Sequence, residues 1–209
     1  MYPKYIKRIL DCLVCAIFVL LFWWLFLLIA IAIKIDDPSG PVLFNQERIG
    51  RYGKVFSMHK FRTMCVGAEG MGSGVYSGSG DSRVTRVGRV LRATSLDELP
   101  QLANVLKGEM ALIGFRPPMT YHPWPWAQYS DEQKRMFDQR PGLTGYAQIH
   151  GRRTVEWNDR IDMNVWYAEH VSFALDLRIF LSTFSKVFKN SDNSNNGATV
   201  SNEDNSHEH

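Results

Sequence analysis

Cys12-Leu-Val-Cys-Ala-Ile-Phe-Val-Leu-Leu-Phe-Trp-Trp-Leu-Phe-Leu-Leu-Ile-Ala-Ile-Ala-Ile33 is a run of 22 residues without a charge. At 1.5 Å per residue it makes a helix of about 33 Å, enough to reach across a hydrocarbon core of about 30 Å. Lys34-Ile35-Asp36-Asp37-Pro38 follows with no small-residue cleavage site, so the run reads as a retained anchor rather than a signal peptide. Lys4, Lys7 and Arg8 precede it and predict a cytoplasmic N-terminus. A simple spanning helix would then carry the rest of the chain to the other side.

Beyond the anchor, a chain of 209 residues with 45% hydrophobic content can bury one sizeable core. The expected division is a membrane-anchoring helix over 1–35, one domain over 36–189 and a disordered tail over 190–209, which is rich in Asn, Ser, Asp and Glu. His207 and His209 in that tail are weak grounds for a metal. A formal charge of only +3 gives no case for a nucleic-acid partner, so the basic residues matter through where they cluster. Cys12 and Cys15 lie inside the apolar run and Cys65 stands alone, which suggests packing in a reducing compartment rather than a disulfide framework.

Gly40 to Met64 reads as a hairpin with a glycine-containing loop, and Lys60 and Arg62, alternating with Phe61, share one face of its second strand. Val66 to Asp81, rich in glycine and serine, reads as a mobile surface loop, with a lid as the alternative. Arg83, Arg86, Arg89 and Arg92 recur every three residues, interleaved with Val84, Val87 and Val90, and make a basic stripe beside an apolar one. The stripe suits either anionic headgroups or phosphate ligands close to Asp97.

Ser95-Leu-Asp-Glu-Leu-Pro-Gln-Leu102 follows directly. Pro100 predicts a helix that begins at or just before it and runs to about Leu106, with Asp97 and Glu98 at its N-terminal end. Free N–H groups and the helix dipole favour ionised carboxylates there, which suits a nucleophile or a metal ligand. An ordinary capping box of Ser95 with Glu98 explains the same residues. Further on, Arg116 sits before Pro117 and Pro118 in a restricted backbone that suits a fixed phosphate fork. Tyr121, Trp124, Trp126 and Tyr129 suit a bilayer interface or core packing. Asp131 to Arg140 reads as a charged helix, Pro141 to Arg152 as a turn-rich segment whose glycines imply close backbone approach, and Phe173 to Lys189 as an amphipathic helix.

Taken in order, the charge-free segment after Lys7-Arg8-x-x-Asp11, Lys60-Phe-Arg-Thr-Met64, Arg92-x-x-Ser-Leu-Asp-Glu-Leu-Pro-Gln-Leu102, Asn104-Val-Leu-Lys-Gly-Glu-Met110, Arg116-Pro117 and Arg140-Pro-Gly-Leu-Thr-Gly145 closely resemble the monotopic phosphoglycosyl transferases, the bacterial sugar transferase family. The match spans roughly residues 4 to 189, and several long motifs in the right order make it far more specific than any one of them.

The resemblance implies an α+β, mostly helical fold: a re-entrant membrane helix, interfacial amphipathic helices and a small β hairpin or sheet. It implies an enzyme of the bacterial inner membrane with a cytoplasmic catalytic domain, moving a phosphosugar from a UDP-sugar to polyprenyl (undecaprenyl) phosphate with release of UMP. Such a step initiates glycan assembly. By position, Asp97 matches the family nucleophile and Glu98 its partner carboxylate, associated with Mg²⁺. Arg92 and Arg116 match basic positions near the dyad and are expected phosphate ligands. Lys60 and Arg62 are expected to bind substrate too, with anchoring of the fold or headgroup contact as their alternatives.

This sequence departs from the family pattern twice. Trp23-Trp24 stands where the family often breaks its membrane helix with Ser-Pro, and Phe115 stands where proline usually precedes Arg-Pro. A membrane glycosyltransferase releasing UDP, or a non-catalytic membrane docking protein of a glycan-assembly complex, are the competing functions. The donor sugar, the polyprenol length, the pathway and whether the chain forms a homo-oligomer are open at this stage.

Overall fold

The computed structural model describes residues 1–71, 80–151 and 156–189. The centre of the glycine-rich loop, Arg152 and the 190–209 tail with its histidines lie outside the described residues. The chain is mostly helical with two small sheets, the fold class expected from the sequence.

Helix α1 runs over Lys7–Asp36 and is long and apolar enough to cross a membrane. Its buried residues, Lys7, Asp11, Cys15, Ile29 and Ile33, lie at its two ends, while Leu20, Leu21, Trp23, Trp24, Leu27 and Leu28 between them are exposed. Both ends return to the same body. Lys7 Nζ meets the Asp176 carboxylate at 2.6 Å, and Cys15 packs with Leu102, Val105 and Met110. At the far end Ile29 and Ile33 pack on Phe61 and Leu91, and Asp36 Oδ2 accepts the Val87 N–H at 2.9 Å. Two of the three cations read as topology signals are thus tied to protein, because Arg8 donates to the Val105 and Leu106 carbonyls.

No proline interrupts α1, yet Phe22 leaves helical geometry at φ −117°, ψ 18°. Beside that break the Trp24 indole N–H donates to the Leu21 carbonyl at 3.1 Å. The break falls one residue before the Trp pair that replaces the family's Ser-Pro. A side-chain donor supplied at a disrupted turn is what a backbone needs where water is absent.

Strands β1 (Leu43–Ile49) and β2 (Val55–Phe61) form the expected antiparallel hairpin, with Leu43 opposite Phe61 and Ile49 opposite Val55. Tyr52 and Gly53, both at positive φ, turn the chain between them. Alternation sends Phe56 and Met58 inward, onto Leu102 and Val105 of α3 (Gln101–Lys107). Asn104, fully buried, locks this junction: its Nδ2 donates to the Ser57 carbonyl and to Glu109, and its Oδ1 accepts the His59 N–H. The Asn104 to Met110 motif thereby fixes α3 against the strand that carries Lys60.

Helix α2 (Arg86–Thr94) precedes α3, and a short parallel pair, β3 (Ala111–Ile113) with β4 (Gly142–Thr144), follows it. The glycines of Pro141 to Arg152 approach backbone as expected, and what they approach is Gly114. A Cβ on Gly145 would lie 1.8 Å from the Gly114 carbonyl oxygen, and one on Gly142 2.1 Å from the Gly114 nitrogen. The expected helix over Asp131 to Arg140 is cut short. Helix α4 (Asp131–Lys134), started by a Ser130–Gln133 capping box, tightens into a 3-10 turn over Arg135–Asp138 that buries Met136 and Phe137. Trp124, Trp126 and Tyr129 pack around Phe137 in that core rather than facing outward, while Tyr121 is exposed. Phe115 enters the same cluster, edge-on to Phe137 at 4.9 Å.

Helices α5 (Tyr146–Gly151), α6 (Trp157–Glu169) and α7 (Phe173–Lys189) complete the body. In α7, Asp176 and Ile179 face inward, whereas Phe173, Leu177 and Leu181 are exposed. Helix α7 thus both caps the core and presents apolar side chains outward.

Candidate active site

Asp97 and Glu98 occupy a 3-10 turn, Leu96–Glu98, wedged between α2 and α3. Ser95 adopts left-handed geometry at φ 59° and closes α2, and its side chain makes no capping hydrogen bond. The Ser95–Glu98 capping box does not form. Pro100 is the N-cap of α3 instead, and the Glu98 carboxylate is drawn away from the backbone by two cations.

Lys60 Nζ lies 2.8 Å from Glu98 Oε1 and 4.0 Å from Asp97 Oδ2. Arg116 brings both terminal nitrogens to the same Glu98 oxygen, at 3.3 and 3.4 Å. The Asp97, Glu98 and Lys60 side chains are 14%, 20% and 16% exposed, so the cluster is largely shielded from water and still reachable. Arg116 is 48% exposed, yet its backbone is held. Pro117 accepts from Arg48 and Pro118 from the Ile49 N–H, which fastens the Arg-Pro-Pro segment to the end of β1.

The two carboxyls are pushed apart. Burial drives Glu98 up, but the charges and hydrogen bonds of Lys60 and Arg116 outweigh it and hold the group at about 2. Burial raises Asp97 above its ordinary value; the Lys60 charge opposes this, Glu98 reinforces it, and Arg92 and Arg116 pull it back. Neighbouring acids with divergent environments are what a division of roles requires.

Arg92 donates from Nε to Thr63 Oγ1 at 2.8 Å and lies within the field of Asp97. The other arginines of the ladder separate from it: Arg83 is buried against Asp81, and Arg86 and Arg89 are exposed on α2. Arg62 parts company with Lys60. Strand β2 ends at Phe61, and Arg62 turns to the end of α1, where Nη1 meets Asp37 Oδ2 at 2.6 Å. That is the anchoring role, one of the alternatives its sequence position left open.

Arg48, Gln148, Arg160 and Asn164 were given no role by the sequence. Arg48 is a half-buried cation held down to about 10 by desolvation and by the charge of Arg116. Arg116, Ala147, Gln148, Arg160 and Asn164 line a small recess. Its only sequence signal was the glycine-rich approach to Gln148. Among the described residues no group of three or more His, Cys, Asp or Glu forms a ready metal cluster.

The model of the bacterial sugar transferase family matches residues 2–190. The sugar transferase EpsL of Bacillus subtilis is 41% identical over 183 residues, 87% of either chain. The UDP-glucose:undecaprenyl-phosphate glucose-1-phosphate transferase of Caulobacter vibrioides is 45% identical over 182 residues, 85% of this chain and 67% of that one. An undecaprenyl-phosphate galactose phosphotransferase of Salmonella typhimurium is 32% identical over 200 residues, 89% of this chain and 41% of its own. The chain belongs to the bacterial sugar transferase family, as a phosphoglycosyl transferase.

Proposed function

We propose that the chain transfers a phosphosugar from a UDP-sugar to polyprenyl phosphate and releases UMP through an aspartyl phosphosugar intermediate on Asp97. One observation carries the reading: a single turn holds an ionised Glu98, locked by Lys60 and Arg116, beside a carboxyl that keeps 4.0 Å from the nearer lysine. An Asp97 oxygen attacks the β-phosphorus, and the bond from that phosphorus to the bridging oxygen breaks, so UMP leaves with the electron pair. An oxygen of polyprenyl phosphate then attacks the same phosphorus and regenerates the Asp97 carboxylate. Two steps let one site serve a soluble donor and a lipid acceptor in turn. Lys60 and Arg116 bind the phosphates as they lose the Glu98 carboxylate, and Arg92, held by Thr63, adds its charge beside Asp97.

The donor set fits a magnesium ion. Mg²⁺ takes one or two carboxylates and completes its shell with water and substrate phosphates, and Glu98 with Asp97 offers that many. When bound it neutralises charge on the diphosphate. The relatives named for transfer of glucose 1-phosphate or galactose phosphate to undecaprenyl phosphate support the substrate class.

The site faces the cytoplasm of the bacterial inner membrane, with α1 entering and leaving by the same leaflet. Thirty helical residues run about 45 Å when straight. Yet both ends of α1 pack on one body, and the ladder breaks at Phe22 between them.

The test is nucleotide release by the purified full chain in detergent with Mg²⁺, a polyprenyl phosphate and a panel of UDP-sugars. UMP is expected, and none from Asp97→Asn. Release of UDP would move the protein to ordinary glycosyl transfer, and release of neither nucleotide would favour the docking role.

A further inference from the structure

Arg8 and Arg140 come together at Gly108, which ends α3, and Arg51 joins them from the turn of the hairpin. Arg8 donates to the carbonyls of Val105 and Leu106, and a Cβ on Gly108 would lie 3.3 Å from its Nη2. Arg140 donates from Nε to the Gly108 carbonyl at 2.8 Å. Arg51 donates from Nε to the Asp138 carbonyl at 2.8 Å and lies over the Tyr52 ring at 4.5 Å. Among the described residues none of the three has a carboxylate within 4.0 Å. Asp11 lies in the field of Arg8 and Arg140, but it is buried and shared with Lys7.

Capping the last carbonyls of α3 accounts for Arg8 and Arg140. It leaves Arg51 unexplained. Burial and then the charges of Arg51 and Arg8 hold the Arg140 guanidinium below the ordinary arginine range, so the third cation works against the second. Like charges gathered without a counter-charge repel, and an anion among them would relieve all three. Each guanidinium has five N–H donors, of which these bonds use one or two, and its planar fork matches a phosphate.

The surroundings choose the kind of phosphate. Ile9, beside Arg8, and Leu13 one turn on are exposed, and they open the apolar band of α1 that continues through Leu20 and Leu28. Leu106, whose carbonyl Arg8 holds, and Tyr52, against Arg51, are exposed too. Cations at the foot of such a band stand at the depth of lipid headgroups. A polyprenyl phosphate is the wrong occupant, because it must reach Asp97, and α3, about 10 Å long, lies between. A zwitterionic headgroup brings an ammonium that three arginines repel, whereas a glycerol headgroup brings none.

We propose that Arg8, Arg51 and Arg140 form a binding site for the phosphodiester of an anionic phospholipid at the base of α1, an inference that rests on α1 lying in the bilayer.

The experiment titrates dioctanoyl phosphatidylglycerol or dioctanoyl phosphatidylcholine into the purified full chain in a neutral detergent and reads the bound fraction by native mass spectrometry. Phosphatidylglycerol should bind saturably, and phosphatidylcholine about tenfold more weakly or less. Arg51→Gln removes one exposed hydrogen bond; it should weaken phosphatidylglycerol about tenfold, the worth of one charge-assisted contact, and leave UMP release in detergent unchanged. Arg140→Lys keeps the charge without the fork and should fall between; if it fails to fold, Arg51→Gln carries the test alone. Equal binding of the two lipids, or of Arg51→Gln and the wild type, would overturn the proposal. Displacement by millimolar inorganic phosphate would overturn it in favour of a soluble anion, and displacement by equimolar polyprenyl phosphate in favour of the acceptor. A wild-type chain that stays in solution without detergent would instead remove the bilayer reading of α1.

Discussion

The base of helix α1 and the turn that carries Asp97 and Glu98 use the same charged residue types in opposite ways. At the helix base each carboxylate is closed off: Asp176 takes Lys7 at 2.6 Å and two tyrosine hydroxyls, and Asp37 takes Arg62 at 2.6 Å. At the turn Lys60 and Arg116 crowd one oxygen of Glu98 at 2.8 and 3.3 Å, Lys60 stands 4.0 Å from Asp97, and Arg116 stays half exposed. Satisfied pairs fix geometry, whereas cations that outnumber their bonds keep capacity for incoming phosphate. The distinction separates Lys60 from Arg62, two residues away, more sharply than their charge does.

Asp97→Asn is the severest test of that division. It should remove UMP release by at least about a thousandfold, on the order of 4 kcal/mol of barrier. Thermal melting should stay level or rise. Burial raises the Asp97 carboxyl, so its ionised form works against the fold at neutral pH and a neutral amide does not. A variant that both unfolds and loses activity would show Asp97 to be structural and erase the contrast.

Asp176→Ala attacks the other region. It takes from Lys7, 8% exposed, its partner at 2.6 Å, leaving only the field of Asp11, and frees the Tyr2 and Tyr167 hydroxyls. A cost of about 3–5 kcal/mol is expected, read from denaturant or thermal unfolding in detergent. Whatever protein remains folded should keep UMP release, because the Asp176 carboxylate bonds Tyr2, Lys7 and Tyr167 and none of Asp97, Glu98, Lys60 or Arg116.

How far the sequence reached follows the same line. Charge-free length announced α1, alternation announced the hairpin, and apolar spacing placed α7. Motif order singled out Asp97 and Glu98. What failed to show was long-range pairing. Strand alternation put Lys60 and Arg62 on one face, but β2 ends at Phe61 and tertiary pairing sends them to different carboxylates. The Ser95–Glu98 capping box was locally sound and lost to Lys60 and Arg116, which no local pattern contains. Helix α6 lacks an apolar stripe, so nothing flagged Arg160 or Asn164, and only burial shows that Asn164 Oδ1 lacks a partner among the described residues.

Acidity sharpens the comparison within the turn. Glu98, held at about 2 from an ordinary 4.5, contributes stability that is present above about 4.5 and is lost as pH falls through about 2. Asp97 has the opposite sign: its contribution is complete below its ordinary 3.8 and is lost as pH rises through its raised value. In the proposed mechanism UMP release needs Asp97 ionised, so its acid limb should lie above 3.8 while Glu98 is still charged. Lys60→Met removes the strongest pull on Asp97 and should move that limb upward. A limb that stays in place would detach Lys60 from the nucleophile.

The smallest expected effect tests the break in α1. Trp24→Phe keeps an aromatic ring but deletes the N–H that the Leu21 carbonyl accepts, at a cost of about 0.5–1.5 kcal/mol in melting measurements. Topology should survive, because the ends of α1 are pinned by Lys7–Asp176 at one side and by Asp36–Val87 and Asp37–Arg62 at the other. Single cysteines at positions 4 and 35, placed in a background cleared of Cys12, Cys15 and Cys65, should label from the same face of sealed vesicles in both proteins. Opposite faces in the wild type would make α1 a spanning helix and refute the re-entrant reading. Opposite faces in Trp24→Phe alone would transfer control of topology from the buried ion pairs to one indole hydrogen bond, and with it reverse the contrast between a closed base and an open turn.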